Sequence, residues 1–356
     1  MGKIMSGSSQ PVNDTEIGTV NADSHGGIVV LARIFALAMT VSAFVYLANN
    51  VLNFWFDWPG VPTIFGMFGW FGLSAPEGGV LNLAWIQLIT YFGAFAVVVL
   101  IVIGSKQRTL HADAEMLSGI AGYIVRAAFW AVLLIGIADA FISFLRVEGF
   151  MATLFSEDIA DKLGRPAFRG HYVHYPLIVA GLVIASFKRT LGFHWLAVLI
   201  VAAELAIVLA RFVFSYEQAF MADLVRFWYG ALFLFASPYT LIKEGHVRVD
   251  ILYASFRLPA KARSNIIGCI FLGLPLCWVI LTLGMWGSAS AINGPLLTFE
   301  VTQSGFGLYI KYLLAGFLMI FALSMLVQFM SYMLSNMATL LHEPGHKQDL
   351  EEHAAV

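Results

Sequence analysis

Charged residues are scarce in this sequence. Asp, Glu, Lys and Arg together make up 12% of its 356 residues, whereas 60% of the residues are hydrophobic. Soluble domains carry about twice that share of charge and fewer apolar residues. The composition therefore excludes an ordinary soluble domain and indicates an integral membrane protein. The formal net charge of −2 gives no sign of a nucleic-acid-binding surface, and we predict no nucleic-acid partner.

Cysteine is nearly absent. Cys269 and Cys277 are the two cysteines, and they lie eight residues apart in one apolar run. In a helix that separation is about 12 Å, which is too long for a disulfide and does not match the spacing of a metal site. We expect both residues to be inert members of the core.

Motifs for catalysis and cofactor binding are also missing. The sequence has no phosphate-binding glycine loop, nucleophile motif or His/Glu metal signature. A transmembrane haem needs histidines inside two facing helices, but these histidines lie at the edges of apolar runs: His111, His171, His174 and His194. We therefore predict no catalytic residue, cofactor or metal, and a membrane redox subunit is disfavoured.

Long apolar segments dominate the chain, and most reach the roughly 20 residues that a membrane-spanning helix needs. They predict an all-α integral membrane protein with about eight transmembrane helices in two four-helix halves. The predicted spans are Ile28–Leu52, Leu81–Ile103, Ile120–Leu145, Tyr172–Phe187, His194–Phe214, Leu224–Ile242, Ile266–Trp286 and Leu308–Leu334.

The predicted organisation has four parts. Residues 1–26 are polar and are expected to form a disordered cytoplasmic tail, not a signal peptide. Residues 27–190 form an N-terminal membrane region of about four helices, residues 191–338 form a second four-helix domain, and residues 339–356 form a cytoplasmic C-terminal tail. An interfacial amphipathic helix is expected near residues 251–263, with its cations facing outward.

The distribution of Lys and Arg predicts the orientation. If the spans alternate, most of these residues fall on one side, and the first and last interhelical loops hold Asp57, Glu77 and Glu300 with no Lys or Arg before Lys311. By the positive-inside rule the basic side is cytoplasmic, as are both termini. The third connection runs against this pattern, since it contains Lys162, Arg165 and Arg169.

Several ionisable residues lie inside predicted spans, where each is costly. Arg33, Arg126 and Arg226 are near span ends and are expected to extend towards the headgroups. Asp139 and Arg146 are seven residues apart, as are Glu204 and Arg211. Seven residues are two helical turns, so each pair shares a face that should point into the protein. Two interpretations stay open: a proton or ion relay, and a structural charge pair that joins helices, which we favour.

The two halves show a weak internal match. An offset of 137 residues aligns Lys106 with Lys243, Asp113 with Asp250, and Arg126 with Arg263. Identity is otherwise low, and apolar sequences also match by chance, so both duplication and coincidence stay open.

A polar segment between the sixth and seventh spans has the sequence Glu244-Gly245-His246-Val247-Arg248-Val249-Asp250. Together with its surroundings from Gly230 to Tyr253, it resembles the signature of the small membrane (Q) subunit of TRAP (tripartite ATP-independent periplasmic) transporters. Arg211-Phe-Val-Phe is similar to the Arg-Tyr-Val-Phe of that family. Asp223-Leu-Val-Arg226 stands where the family has an acidic and then a basic residue, usually with Glu first. The resemblance covers roughly residues 193–336, and the first 190 residues lie outside it.

The resemblance implies a subunit that is not an enzyme. It would be a small permease subunit, a non-catalytic scaffold for a large membrane subunit of about twelve spans, in the inner membrane of a bacterial cell. The complex would drive sodium- or proton-coupled uptake of carboxylate-type solutes delivered by a periplasmic solute-binding protein. Residues 191–338 would be the TRAP small-permease-like domain. Six motif residues would then serve structure and assembly: Arg211, Asp223, Arg226, His246, Arg248 and Asp250.

A self-sufficient secondary transporter is the alternative, and eight spans with a weak repeat allow it. Such carriers usually have broken helices at matching positions in both halves. Pro238 and Pro275 interrupt the second half only, which counts against this alternative.

The predicted topology is tested by reporter fusions placed after Lys347 and within Glu77–Gly79. We expect the first fusion to report the cytoplasm and the second the opposite side, because an odd number of spans separates them. Two fusions that report the same side would contradict the topology.

Overall fold

The computed structural model describes residues 22–70, 78–188, 193–217, 219–242, 253, 255–302 and 307–343. Within these ranges the chain is mostly helical and contains no strand, and eight helices are long and apolar enough to cross a membrane. The predicted all-α membrane fold is therefore confirmed. We number these helices α1 (Ala22–Trp55), α2 (Gly78–Gly104), α3 (Leu110–Val147), α4 (Pro166–Phe187), α5 (Phe193–Phe214), α6 (Ala219–Ile242), α7 (Leu258–Met285) and α8 (Lys311–Leu340).

Every predicted span corresponds to one helix, but several helices extend beyond their apolar run. Helix α1 begins at Ala22, inside the predicted tail, and α3 begins ten residues before the predicted Ile120. The early start of α3 is stabilised by Thr109, whose hydroxyl accepts a hydrogen bond from the N–H of Ala112 at 3.1 Å. Hydropathy finds only the apolar part of such a helix, so the capped polar turns were missed. The remainder of the tail, residues 1–21, lies outside the described residues.

Helices α3 and α8 form the centre of the bundle. They run antiparallel, and two hydrophobic cores lie at different levels along them. The first core joins α1, the beginning of α3, α7 and the C-terminal half of α8, and it contains the free thiols of Cys269 and Cys277. The second core joins the middle of α3 to α5, α6 and the beginning of α8. Both cores therefore combine helices from before and after residue 190. The predicted domain boundary at that position stays a prediction.

Small residues permit the closest helix contacts. At Gly181 of α4, an added Cβ would lie 2.6 Å from the backbone nitrogen of Ala131 in α3. At Gly136 of α3, an added Cβ would lie 2.3 Å from the indole nitrogen of Trp228 in α6. These two glycines bring α4 and α6 against α3, as small residues commonly do in membrane proteins.

The segment expected to form an interfacial helix near residues 251–263 has a different structure where it is described. From Leu258 onward it forms the first turns of α7 instead of a separate helix, with a proline in the first turn of the helix. Residues 251, 252 and 254 lie outside the described residues.

Two spans contain a wide π-type turn. One is Gly170–His174 in α4, and the other is Cys269–Gly273 in α7. Each is followed within a few residues by a proline, Pro176 or Pro275. The expectation that only the second half is interrupted was therefore wrong, since Pro176 had been overlooked. The two turns nevertheless lie in the fourth and seventh spans, which are not equivalent positions in two four-span halves.

The close contact at Gly181 gives a stability prediction. Gly181→Ala should destabilise the protein by about 1–3 kcal/mol, because the new methyl group meets backbone that cannot move aside easily. The measurement is the thermal unfolding midpoint of the detergent-purified chain.

Gly119→Ala is the matched control, since nothing lies within 4 Å of the added Cβ at that position in α3. It should leave the midpoint unchanged or raise it, through the better helix propensity of alanine. Equal effects of the two substitutions would contradict this packing.

Candidate functional site

The carboxylate of Asp139 is the centre of a charged network inside the membrane region. Asp139 lies in the last third of α3, and its side chain is fully buried. Its Oδ1 atom accepts hydrogen bonds from Nη1 of Arg169 at 2.8 Å and from Nε2 of His174 at 3.2 Å. Its Oδ2 atom accepts a third from the backbone N–H of Tyr309 at 2.8 Å. One carboxylate therefore joins α3, α4 and the segment that leads into α8.

Arg169 is fully buried on the first turn of α4. Its Nε donates to the carbonyl oxygen of Leu163 at 2.6 Å, and its Nη1 also donates to Oγ of Ser143 at 3.1 Å. Its Nη2 is buried and has no hydrogen-bond partner among the described residues. A buried guanidinium with a single carboxylate close by depends strongly on that carboxylate.

His174 is the last residue of the wide turn in α4 and is also fully buried. Its Nδ1 lies 2.7 Å from the hydroxyl of Tyr312, and its Nε2 faces Asp139. In the neutral tautomer that donates from Nε2 to Asp139, Nδ1 accepts from the Tyr312 hydroxyl. The histidine thus connects α3 and α4 to α8.

Tyr309 lies beneath two guanidinium groups. The Cζ atoms of Arg146 and Arg169 are 4.5 Å and 4.3 Å from the centre of its ring, within cation–π distance. Arg146 also donates to the hydroxyl of Tyr309, and to the carbonyl oxygen of Gly307 at 3.0 Å. These contacts fix the backbone directly before α8.

A second carboxylate holds the neighbouring peptide group. Asp223, near the beginning of α6, accepts from the backbone N–H of Leu308 at 3.1 Å and from Oγ1 of Thr302 at 3.4 Å. Its other oxygen lies 3.5 Å from Nη1 of Arg226. The successive N–H groups of Leu308 and Tyr309 are therefore held by carboxylates from two different helices.

Another network lies at the opposite end of α3. Arg33 of α1 is almost fully buried, and its Nε lies 2.6 Å from Asp113, which also binds Arg108 at 2.6 Å. Arg33 further donates to the carbonyl and hydroxyl oxygens of Ser105, at 2.8 and 2.9 Å. Asp113 and Asp139 are 26 residues apart, or about 39 Å along α3, so the two networks lie near opposite membrane faces.

The end of the described chain also binds α3. The two carboxylate oxygens of Glu343 accept from the N–H groups of Leu110 and His111, at 3.0 and 3.2 Å. A carboxylate at a helix N-terminus satisfies unpaired N–H groups and is favoured by the helix dipole. Glu343 was expected in the cytoplasmic C-terminal tail, residues 339–356. Residues 344–356 of that tail lie outside the described residues.

The sequence predicted that these charged residues lie within membrane-spanning helices, but several of their predicted partners and surroundings were wrong. Asp139 binds Arg169, not Arg146, because the two-turn spacing within α3 says nothing about which neighbouring helix supplies the cation. Arg33 is buried in an ion pair and does not extend to the headgroups. Glu204 and Arg211 do not point into the chain: both are exposed, and Arg211 lies 3.6 Å from Glu217.

Arg169, His174 and Tyr309 were missed as parts of this network. Arg169 was assigned to a loop, since the apolar run begins only at Tyr172. The overlooked signal is Pro166, a residue favoured in the first turn of a helix, which indicates that α4 begins before Arg169.

The six motif residues have different outcomes. Arg211 is exposed at the end of α5, Asp223 is buried and binds the segment before α8, and Arg226 is largely exposed on α6. The remaining three, His246, Arg248 and Asp250, lie outside the described residues. Among those described, Asp223 is thus the motif residue with an evident structural role.

The Asp139 network gives a second stability prediction. Asp139→Ala should destabilise the chain by about 3–5 kcal/mol, because it leaves Arg169 buried without its counter-ion. Arg169→Met in the same chain should recover part of that loss, since it removes the unpaired charge. The measurement is the thermal unfolding midpoint of the single and double variants in detergent.

Asp158→Ala is the matched control. Asp158 forms an exposed i,i+4 pair with Lys162, and such pairs contribute little to stability. If Asp139→Ala were as mild as this control, the network would not have its assigned role.

Comparisons with family models, with curated proteins and with solved structures each return no match for this chain. The resemblance to the TRAP small subunit therefore depends on the motif residues given above. What the chain does must be inferred from those residues together with the geometry of the helices.

Proposed function

We propose that this chain is the small permease subunit of a TRAP transporter. In this proposal it is a fixed, non-catalytic scaffold in the inner membrane that supports a large membrane subunit. The large subunit carries out sodium- or proton-driven uptake of carboxylate-type solutes, which a periplasmic binding protein delivers. Helices α5 to α8 would be the part shared with the family, and α1 to α4 would enlarge the scaffold.

The observation that carries the scaffold role is the internal pairing of the buried carboxylates. Among the described residues, the buried carboxylates are Asp113, Asp139 and Asp223. Each binds cations or N–H groups of this same chain. Acidic groups that carry protons or ions need access to a water-filled path, whereas these hold helices and backbone in place. That arrangement supports assembly rather than transport.

A large apolar cavity in the bundle also lacks the chemistry of a carboxylate site. It has a volume of about 660 Å³ and lies mainly between α1, α3, α4 and α8. Its lining contains no Lys, Arg or His, and its polar groups are Trp55 and three tyrosines: Tyr123, Tyr175 and Tyr312. Recognition of a carboxylate normally uses a cation or several convergent N–H donors. This cavity therefore supports a subunit that does not itself bind the solute.

The self-sufficient transporter is less well supported. The wide turns in α4 and α7 are helix interruptions of the kind found in carriers, but they occur at non-equivalent positions of the two halves. The turn in α4 contributes His174 to the Asp139 network, which gives it a structural explanation.

Reconstitution into liposomes tests the proposed function. With a sodium or proton gradient and the periplasmic binding protein present, the purified chain alone should take up a labelled carboxylate no faster than empty liposomes. Liposomes that also contain the large subunit should show uptake. The physical reason is that no cationic solute site can be built from the cavity described above.

The same liposomes provide the decisive control. Gradient-driven uptake by the chain alone, above that of empty liposomes, would overturn the scaffold role and favour an autonomous carrier. Liposomes with the Asp139→Ala chain would then show whether the buried network takes part in that transport.

A further inference from the structure

Glu204 lies at the middle of a membrane-spanning helix. It is eleven residues from the start of α5 at Phe193 and ten from its end at Phe214. Ten residues of helix correspond to about 15 Å, which is half of a hydrocarbon layer about 30 Å thick. The carboxylate is therefore near the midplane, too deep for a glutamate side chain to reach either headgroup layer.

The side chain of Glu204 is exposed at that depth. No hydrogen bond or ion pair joins it to any other described residue. This distinguishes it from Asp113, Asp139 and Asp223, which are buried and bound within the chain. An acidic residue facing lipid at the midplane is costly, and such residues nearly always face protein or a water-filled cavity.

Helix α5 has a single packed face. Leu196, Leu199, Ile200 and Ala203 pack into the second core, and α5 lies against α6. Its opposite face is exposed, with Val201, Leu205, Val208 and Phe212 at successive turns. Glu204 is one residue beyond Ala203, or about 100° around the helix, so it lies on the flank between these two faces.

Arg211 extends the same flank by two turns. It follows Glu204 by seven residues, about 10 Å along the helix axis, and more than half of its side chain is exposed. The flank thus presents an anion at the midplane and a cation nearer the end of the span. This charge pattern is complementary to a helix that carries a cation at mid-depth and an acidic or hydrogen-bond-accepting group about two turns away.

We propose that this flank of α5 docks a transmembrane helix of a second membrane protein, which presents Lys, Arg or a comparable hydrogen-bond donor to Glu204. The proposal rests on the proposed function, and it assigns the surface through which the scaffold binds its partner. A symmetric second copy fits less well, because it would place two like carboxylates together at the midplane. The apolar exposed face of α5 would remain available to the same partner helix or to lipid.

Site-specific photo-crosslinking in native membranes tests the location of the partner. Benzoylphenylalanine at position 208, one helical turn beyond Glu204 on the same side of α5, should crosslink to a transmembrane segment of another protein. Peptide mapping should place that segment in a helix with a cation or donor near its centre. The same probe at Phe92, exposed on α2, should give lipid or no protein adduct.

Substitution of Glu204 tests the interaction itself. Glu204→Leu should lower the amount of co-purified partner by about tenfold or more, because the donor on the partner loses its counter-ion. Glu204→Gln keeps an acceptor and should lose less. The isolated Glu204→Leu chain should be at least as stable as the unaltered chain, since a lipid-exposed charge has been removed. Lower partner recovery together with unchanged or higher stability of the isolated chain would distinguish a docking defect from misfolding.

Glu115→Leu is the matched control, since it makes the same chemical change at an exposed glutamate near the beginning of α3. It should leave partner recovery unchanged. The docking proposal would be overturned by normal partner recovery with Glu204→Leu, by crosslinks between two copies of this chain, or by protein crosslinks from the α2 probe only. In each of these cases, a large subunit that still co-purifies with the chain would preserve the proposed function. If the unaltered chain has no partner at all, the two proposals fail together.

Discussion

An ionised carboxylate inside a membrane protein must be matched by donors, and the structure of this chain depends on that requirement at Asp139. Its three hydrogen bonds come from α4 and from the segment that leads into α8, and α8 is one of the two central helices. Moving α8 or α4 relative to α3 would leave a buried charge without a partner. The carboxylate therefore specifies one arrangement of three helices, which apolar packing alone would define less sharply.

The two ends of α3 are fixed by the same means. Asp113 joins α1 and the α2–α3 connection through Arg33 and Arg108, while Glu343 at the end of α8 caps the first turn of α3. Helices α3 and α8 are thus joined by charge-assisted hydrogen bonds at both membrane faces and by apolar cores between them. A bundle constrained in this way is suited to a fixed scaffold and less suited to a carrier that must rock between two states.

The sequence was sufficient to predict the membrane-spanning helices but not the contacts between them. The eight spans follow from the lengths of the apolar runs, because a bilayer imposes both a length and an apolar composition. The partner of Asp139 could not be derived, since the spacing of residues within α3 does not identify the neighbouring helix. Arg169 was hidden for a related reason: α4 begins at Pro166, several residues before its apolar run. The motif residues from His246 to Asp250 lie outside the described residues, so their predicted role in assembly stays a prediction.

The contrast between Asp139 and Glu204 suggests how the two kinds of charge are used. Asp139 is enclosed by its own chain, whereas Glu204 is exposed near the midplane, on a helix with one packed face. The internal charges would then hold the scaffold together, and the exposed one would select what binds to it. This division follows from the cost of a charge in hydrocarbon, which protein must offset either within the chain or across an interface.

The most direct test of the scaffold role is the composition of the complex purified from native membranes. A tagged full-length chain would be isolated in mild detergent, and its co-purifying proteins would be identified and quantified by mass spectrometry. We expect a second membrane protein with about twelve spans in near-equimolar amount, which also binds a periplasmic solute-binding protein. A chain that purifies alone, remains folded and binds a carboxylate solute by itself would contradict it.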